Sequence, residues 1–137
     1  MRILLDINVI LDVLLNRPPF VHDSRRLWQL ADGGAFDGAI ASFSLPTIHY
    51  ICRRHAGLAA ADGAVETCLE AFEVCPLYRE NILAARRLTG NDFEDNLQVT
   101  CAVSDFIQGL VTRNPQDFPN APIRIYTPAE LLEVLQR

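Results

Sequence analysis

The chain has 137 residues, half of them hydrophobic, with a mean hydropathy of +0.12. That size suits one domain with a real core, and no stretch approaches the roughly 20 apolar residues of a membrane helix. The net charge of −5 argues against a protein that coats nucleic acid. It leaves room for an enzyme that gathers carboxylates in one cleft. All twelve basic residues are Arg. No basic and apolar leader precedes the first apolar run, so the expected location is the cytoplasm.

Ile3-Leu4-Leu5 is an unbroken apolar run, which predicts a strand buried on both faces, as in a parallel sheet. It ends at Asp6, which opens Asp6-Ile7-Asn8-Val9-Ile10-Leu11-Asp12. A short helix follows from Val9 to Leu15, stopped by Asn16-Arg17-Pro18-Pro19. Residues 21–32 place Leu27, Leu30 and Ala31 at helical spacing, with Gly33-Gly34 as the stop. Gly38–Ala41 reads as a second strand. Leu45–Arg54 reads as a helix with Ile48, Ile51 and Cys52 on one face, and residues 59–72 as an Ala-rich helix. Glu73–Pro76 is a brief third strand. Ile82, Ala85 and Leu88 mark a helix closed at Gly90. Asp92–Asp105 is helical, with Leu97, Cys101 and Ser104 along one stripe. Ile107–Val111 and Ile123–Tyr126 are strands four and five. Thr127-Pro128-Ala129-Glu130 is a helix-start signature, opening a last helix from Ala129 to Leu135. This alternation predicts a single α/β domain over 1–137, a three-layer α/β/α sandwich with a mostly parallel five-stranded sheet.

Three polar clusters then share one edge of the sheet. Asp6, with Asn8, follows strand one. Asn91-Asp92-Phe93-Glu94-Asp95-Asn96 starts the helix that leads into strand four. Thr112-Arg113-Asn114-Pro115-Gln116-Asp117-Phe118 follows strand four. Carboxyl ends of parallel strands are where open α/β sheets bind ligands, so Asp6, Asp95, Asn114 and Asp117 can converge there. Carboxylates that close repel one another unless a proton or cation joins them. Mg²⁺ or Mn²⁺ fits best, because these hard ions prefer oxygen. Serine occurs without a GxSxG turn, and no Gly-rich phosphate loop is present.

Structural roles compete for the same residues. Asp6 can cap the first helix, and Asp92 is read as the N-cap of its helix with Asp95 in the first turn. Asn114 and Asp117 flank Pro115 as turn residues do. Asp12 and Asp105 are expected to be solvated or capping, Glu94 on the surface, and the Arg pairs 25-26, 53-54 and 86-87 on solvated helix faces. Arg113 borders the cleft and is a candidate phosphate contact. Cys52, Cys68, Cys75 and Cys101 lack metal-ligand spacing and read as buried thiols. The three His, including His49 in an apolar-rich helix, form no metal-binding pattern.

In these positions the chain resembles the PIN domain family, and within it the VapC-type toxins. Leu4-Leu5-Asp6-Ile7-Asn8-Val9 looks like the family's first strand with its metal-binding Asp. Glu94-Asp95-Asn96-Leu97-Gln98 resembles the acidic helix start, Thr112-Arg113-Asn114-Pro115-Gln116-Asp117-Phe118 the TRNxxDF segment, and Thr127-Pro128-Ala129-Glu130-Leu131-Leu132 the closing helix start. The resemblance implies a Mg²⁺- or Mn²⁺-dependent ribonuclease acting on RNA. Asp6, Asp95 and Asp117 would be at the ion, with Asn114 and Thr112 positioning water or phosphate. It also implies a homodimer held inactive by a cognate antitoxin. One departure stands out: Thr47 occupies the place of a Glu that the family usually carries after strand two. One subgroup lacks that Glu, and Asp92 can supply the missing charge from about one helical turn away.

Thr47 also motivates an alternative, a catalytically weak or inactive PIN-like module that binds RNA or a protein partner. Phosphoryl transfer on Asp6, as in receiver domains or haloacid-dehalogenase-like phosphatases, is disfavoured. Both rely on a Lys, which this chain lacks, and the phosphatase pattern needs Asp where Asn8 stands.

Overall fold

The structure is a computed structural model and describes residues 1–90 and 92–137. Strand β1 (Arg2–Leu5) runs through the middle of a five-stranded sheet. β2 (Asp37–Ala41) and β3 (Glu73–Cys75) extend the sheet on one side, and β4 (Gly109–Val111) and β5 (Arg124–Tyr126) on the other. All four pairings are parallel. The unbroken apolar run at β1 has its reason here: Ile3 and Leu5 enter one core, Leu4 the other, and none is more than 1% exposed.

Helices α1 (Ile7–Leu14), α2 (Val21–Asp32), α3 (Ser44–Ala56), α4 (Leu58–Ala71) and α7 (Pro128–Leu135) share the first core. α6 (Phe93–Ser104) covers the second face through Val99, Cys101 and Ala102, and α5 (Arg79–Ala85) packs on α6. Right-handed crossovers require this split. The steps β1→β2→β3 go one way and lay their helices on one face. The step from β3 back to β4 passes over β2 and β1, so its helices cover the opposite face. The chain reverses direction at the gap between β1 and β4, where open sheets place ligands.

The differences from the sequence reading are local. α1 begins at Ile7 rather than Val9, because Asp6 is extended (φ −60°, ψ 146°) and the first turn starts directly after it. α5 ends at Ala85, and Arg87 and Leu88 only make tight turns back to Ala84 and Ala85. β4 begins at Gly109 because Phe106 has φ 57° and the Ile107 N–H is taken by the Ala102 carbonyl at 2.9 Å, closing α6. α7 opens at Pro128. Thr127 Oγ1 accepts the Glu130 N–H at 3.2 Å while Glu130 Oε1 accepts the Thr127 N–H at 2.9 Å, a reciprocal cap. All four cysteines are free and buried. Burial pushes the thiols of Cys68 and Cys75 up to about 12. Among the described residues no helix is long and apolar enough to cross a membrane.

Gly109 lies opposite Ile3 and Arg124 in the sheet. A Cβ there would stand 2.9 Å from Tyr126 Cε2 and 3.1 Å from both the Arg124 carbonyl oxygen and Ile3 Cδ1. Gly109→Ala is therefore expected to lose about 1–3 kcal/mol by overpacking, measured by urea unfolding.

Candidate metal centre

The pairing of Leu5 with Val111 decides which side chains meet beyond the sheet. The Asp6 N–H still donates to the Val111 carbonyl at 3.0 Å, so Asp6 and Thr112 leave the sheet side by side. Asp6 occupies the N-cap position of α1, but its side chain does not cap that helix. Its carboxylate is turned inward and 6% exposed. Oδ2 accepts the Thr112 hydroxyl at 2.8 Å and Oδ1 accepts Gln98 Nε2 at 3.1 Å. Thr112 Oγ1 also accepts the Asn114 N–H at 3.1 Å, which fixes the hydroxyl for donation to Asp6. Burial pushes the Asp6 carboxyl above the usual carboxylate range against these hydrogen bonds, and the charge of Asp117 adds to the push.

The second acid comes from α6. Asp92 Oδ1 accepts the Asp95 N–H at 3.2 Å, so Asp92 is the cap of that helix. Burial, then the charges of Asp92, Asp6, Asp117 and Glu94, push Asp95 up to about 7. Distant parts of the chain thus act on one carboxyl group. A cleft of about 200 Å³ opens between Asp92, Asp95, Gln116 and Asp117. Asp117 closes a single 3₁₀ turn, Pro115–Asp117, and is exposed.

Asp95 and Asp117 line one cleft, Asp6 acts on Asp95 through its charge, and Thr112 touches Asp6. Asn114 enters through its backbone: its carbonyl accepts the Asp117 N–H at 3.0 Å, while its side chain has only a long 3.5 Å approach from Gln116. Asn8 and Thr47 are half-buried in the first turns of α1 and α3. Asn91 lies outside the described residues. Among those described, no three His, Cys, Asp or Glu side chains stand together closely enough to hold an ion by themselves. The donor set is nevertheless all oxygen, and it includes one group the sequence reading did not single out. Gln98 is 3% exposed, and its Oε1 is buried without a hydrogen-bond partner. An orphaned acceptor beside mutually repelling carboxylates is what a hard cation satisfies, so the residues fit Mg²⁺ or Mn²⁺.

Asp12 corrects the sequence reading. It is neither solvated nor capping but 0% exposed, with Arg17 Nε donating to Oδ1 at 2.9 Å. Arg113 Nε lies 2.9 Å from Oδ2, a charge contact whose angle is too poor for a hydrogen bond. The Arg113 guanidinium also covers the Phe20 ring at 4.1 Å. Arg113 therefore ties the loop after β4 to α1. A larger cleft of about 320 Å³ beside it is walled by Pro19, Phe20 and Pro128. That cleft lacks the clustered acids that mark the smaller one.

Asp12→Ala leaves two guanidinium groups without their carboxylate. It is expected to cost about 2–3 kcal/mol in urea unfolding, less than for a fully dry pair because both Arg keep some water. The raised Asp95 has the opposite pH signature to an ordinary ion-paired acid. The folded state holds its proton more tightly than the unfolded chain, whose carboxyl titrates near 4. Stability in excess chelator should therefore fall as pH rises from about 4 to about 7. Asp95→Asn should flatten that decline in thermal unfolding.

Among solved structures, the DNA-bound VapBC complex of Salmonella typhimurium contains a chain similar in fold. Its TM-score is 0.72 at 20% identity, over 93% of this chain and 98% of that one. VapBC2 of Rickettsia felis, bound to a promoter DNA fragment, gives 0.70 at 16% identity over the same shares. VapC20 of Mycobacterium tuberculosis, described as a sarcin–ricin loop cleaving toxin, gives 0.63 at 16% identity over 79% of this chain and 86% of that one. No curated protein matches the chain in sequence. The PIN domain family model matches residues 2–116, a span that holds β1 to β4, Asp6, Asp95 and Thr112. The chain belongs to the PIN domain family.

Proposed function

We propose that this PIN domain is a divalent-metal-dependent endoribonuclease, with Asp6, Asp95 and Asp117 as carboxylate ligands of Mg²⁺ or Mn²⁺. What supports it most is the cleft lined by Asp92, Asp95 and Asp117 at the reversal point of the sheet, where the negative charges of Asp92, Asp6 and Asp117 push on the half-buried Asp95. Such repulsion is unfavourable in an empty site and becomes binding energy when a cation enters. A bound divalent ion supplies charge for the phosphodiester oxygens and lowers the pKa of an attacking water. The chain's own groups then have separate tasks. Thr112 and Gln98 hold the Asp6 carboxylate in one orientation. The Asn114 backbone fixes the Thr112 hydroxyl, and the Asn114 side chain is left to meet phosphate. Asp92 holds the first turn of α6, and with it Asp95.

RNA, rather than DNA, follows from the resemblance to VapC-type toxins. The same resemblance gives the biological role we infer, the toxin of a toxin–antitoxin pair that forms a homodimer and is silenced by an antitoxin. The likeness in fold to chains of VapBC complexes supports that partner. Thr47, and the lack of three metal-holding acids among the described residues, favour a second reading: a non-catalytic module that binds RNA or protein.

The test is cleavage of a labelled RNA by the full chain with and without Mn²⁺ or Mg²⁺. Metal should stimulate cleavage. Asp6→Asn or Asp95→Asn should each lower the rate at least about 100-fold, the scale for removing one electrostatic group from such a site. Full cleavage in excess chelator would defeat the proposal. A folded wild type that takes up no Mn²⁺ in calorimetric titration would favour the non-catalytic module.

A further inference from the structure

Gln98 sits in a stretch of α6, Asn96 to Ala102, in which every residue is buried. Other polar side chains of that stretch are engaged: Asn96 Nδ2 donates to the Ala85 carbonyl at 3.3 Å, and Thr100 Oγ1 donates to the Asn81 carbonyl at 2.9 Å. Gln98 is satisfied at one end only. Nε2 donates to Asp6 Oδ1, and Oε1 meets nothing. A buried acceptor left unpaired is unfavourable. Turning the amide over does not help, because it would set Oε1 against the Asp6 carboxylate oxygen.

The position of the amide suggests a partner for Oε1. Gln98 lies three residues after Asp95, so both project from the same side of α6, and its other end rests on Asp6. It touches Asp6 directly and shares a helix side with Asp95, an acid on which the charge of Asp6 acts. Those acids are short of oxygen donors, since no three acidic side chains among the described residues can hold an ion by themselves. An amide carbonyl oxygen is an ordinary ligand for a hard divalent ion, and its N–H can hold a neighbouring carboxylate ligand at the same time. We propose that Gln98 Oε1 is an oxygen ligand of the divalent ion in this chain. The assignment rests on the metal-dependent reading of the site.

The experiment is calorimetric titration of the full-length protein with Mn²⁺, with circular dichroism to confirm folding. The proteins compared are wild type, Asp6→Asn, Gln98→Met and Gln98→Glu. Gln98→Met keeps the volume and removes both polar ends, and should weaken Mn²⁺ binding roughly 10-fold or more. Gln98→Glu keeps an oxygen but loses the N–H that holds Asp6, and should bind close to wild type or tighter. If Gln98 only orients Asp6, Gln98→Glu will be as weak as Gln98→Met, and the ligand assignment falls. It falls too if Gln98→Met binds like wild type while Asp6→Asn abolishes binding, an outcome that leaves the metal reading intact. No Mn²⁺ uptake by the wild type removes both. Should Gln98→Met fail to fold, Gln98→Glu against wild type decides: a 10-fold loss overturns the assignment.

Discussion

The buried carboxylate of Asp6 is the constraint around which this molecule is organised. A charged group with 6% exposure is tolerated only where other groups replace its water. Here the replacements come from opposite sides, a hydroxyl from the end of β4 and an amide from the middle of α6. Each can reach Asp6 only if β4 lies directly beside β1 and α6 lies on the sheet face next to them. The parallel order of the strands therefore supplies a core and also puts the partners of one carboxylate in place. Where the match is incomplete, at Gln98 Oε1, the unmet group lies in the same small region.

A second buried acid keeps that region in shape. Asp12 lies six residues beyond Asp6, about one and two-thirds turns of helix, and receives Arg17 and Arg113. Arg113 is the immediate neighbour of Thr112. The contact of Asp12 with Arg113 thus anchors the backbone that presents the Thr112 hydroxyl, and Phe20 limits the guanidinium from one side. Removing one acid therefore bears on the placement of the other without their sharing a hydrogen bond. The cleft acids differ in kind, because they repel one another, whereas Asp12 sits between opposite charges.

Much of this was legible in the sequence, for reasons that differ by residue. The apolar run at Ile3-Leu4-Leu5 and the alternation of elements carried the sheet, and right-handed crossovers then carried Asp6, Asp95 and Asp117 to one edge. The Asp92 and Thr127 caps were readable because capping is local, settled within four residues. Gln98 was not readable. Periodicity marks apolar positions on a helix taken to have a wet side, and the stripe of Leu97, Cys101 and Ser104 assumed one. α6 is buried all round over its middle, so a polar residue between the apolar ones meets protein rather than solvent. Asp12 carried a faint signal, an acid enclosed by Ile10, Leu11, Val13 and Leu14 with Arg17 close behind, but its other partner, Arg113, comes from a distant loop that no local spacing links to it. The limits of β4 and α5 shifted because Phe106 adopts a left-handed turn and because isolated turns after Ala85 resemble helix in composition.

The distance along the chain between Asp6 and its partners has a consequence for synthesis. Gln98 is 92 residues further on and Thr112 is 106, while the strand beside β1 on the other flank, β2, comes far sooner. A nascent polypeptide leaving the ribosome can pair β1 with β2 early, yet it carries Asp6 with no hydroxyl or amide to receive it until most of the protein has emerged. Long-range parallel pairing of this kind is slow to form. A ribosome-bound fragment that ends before β4 therefore has three of the five strands and no assembled acid cleft, whatever chemistry the finished protein performs.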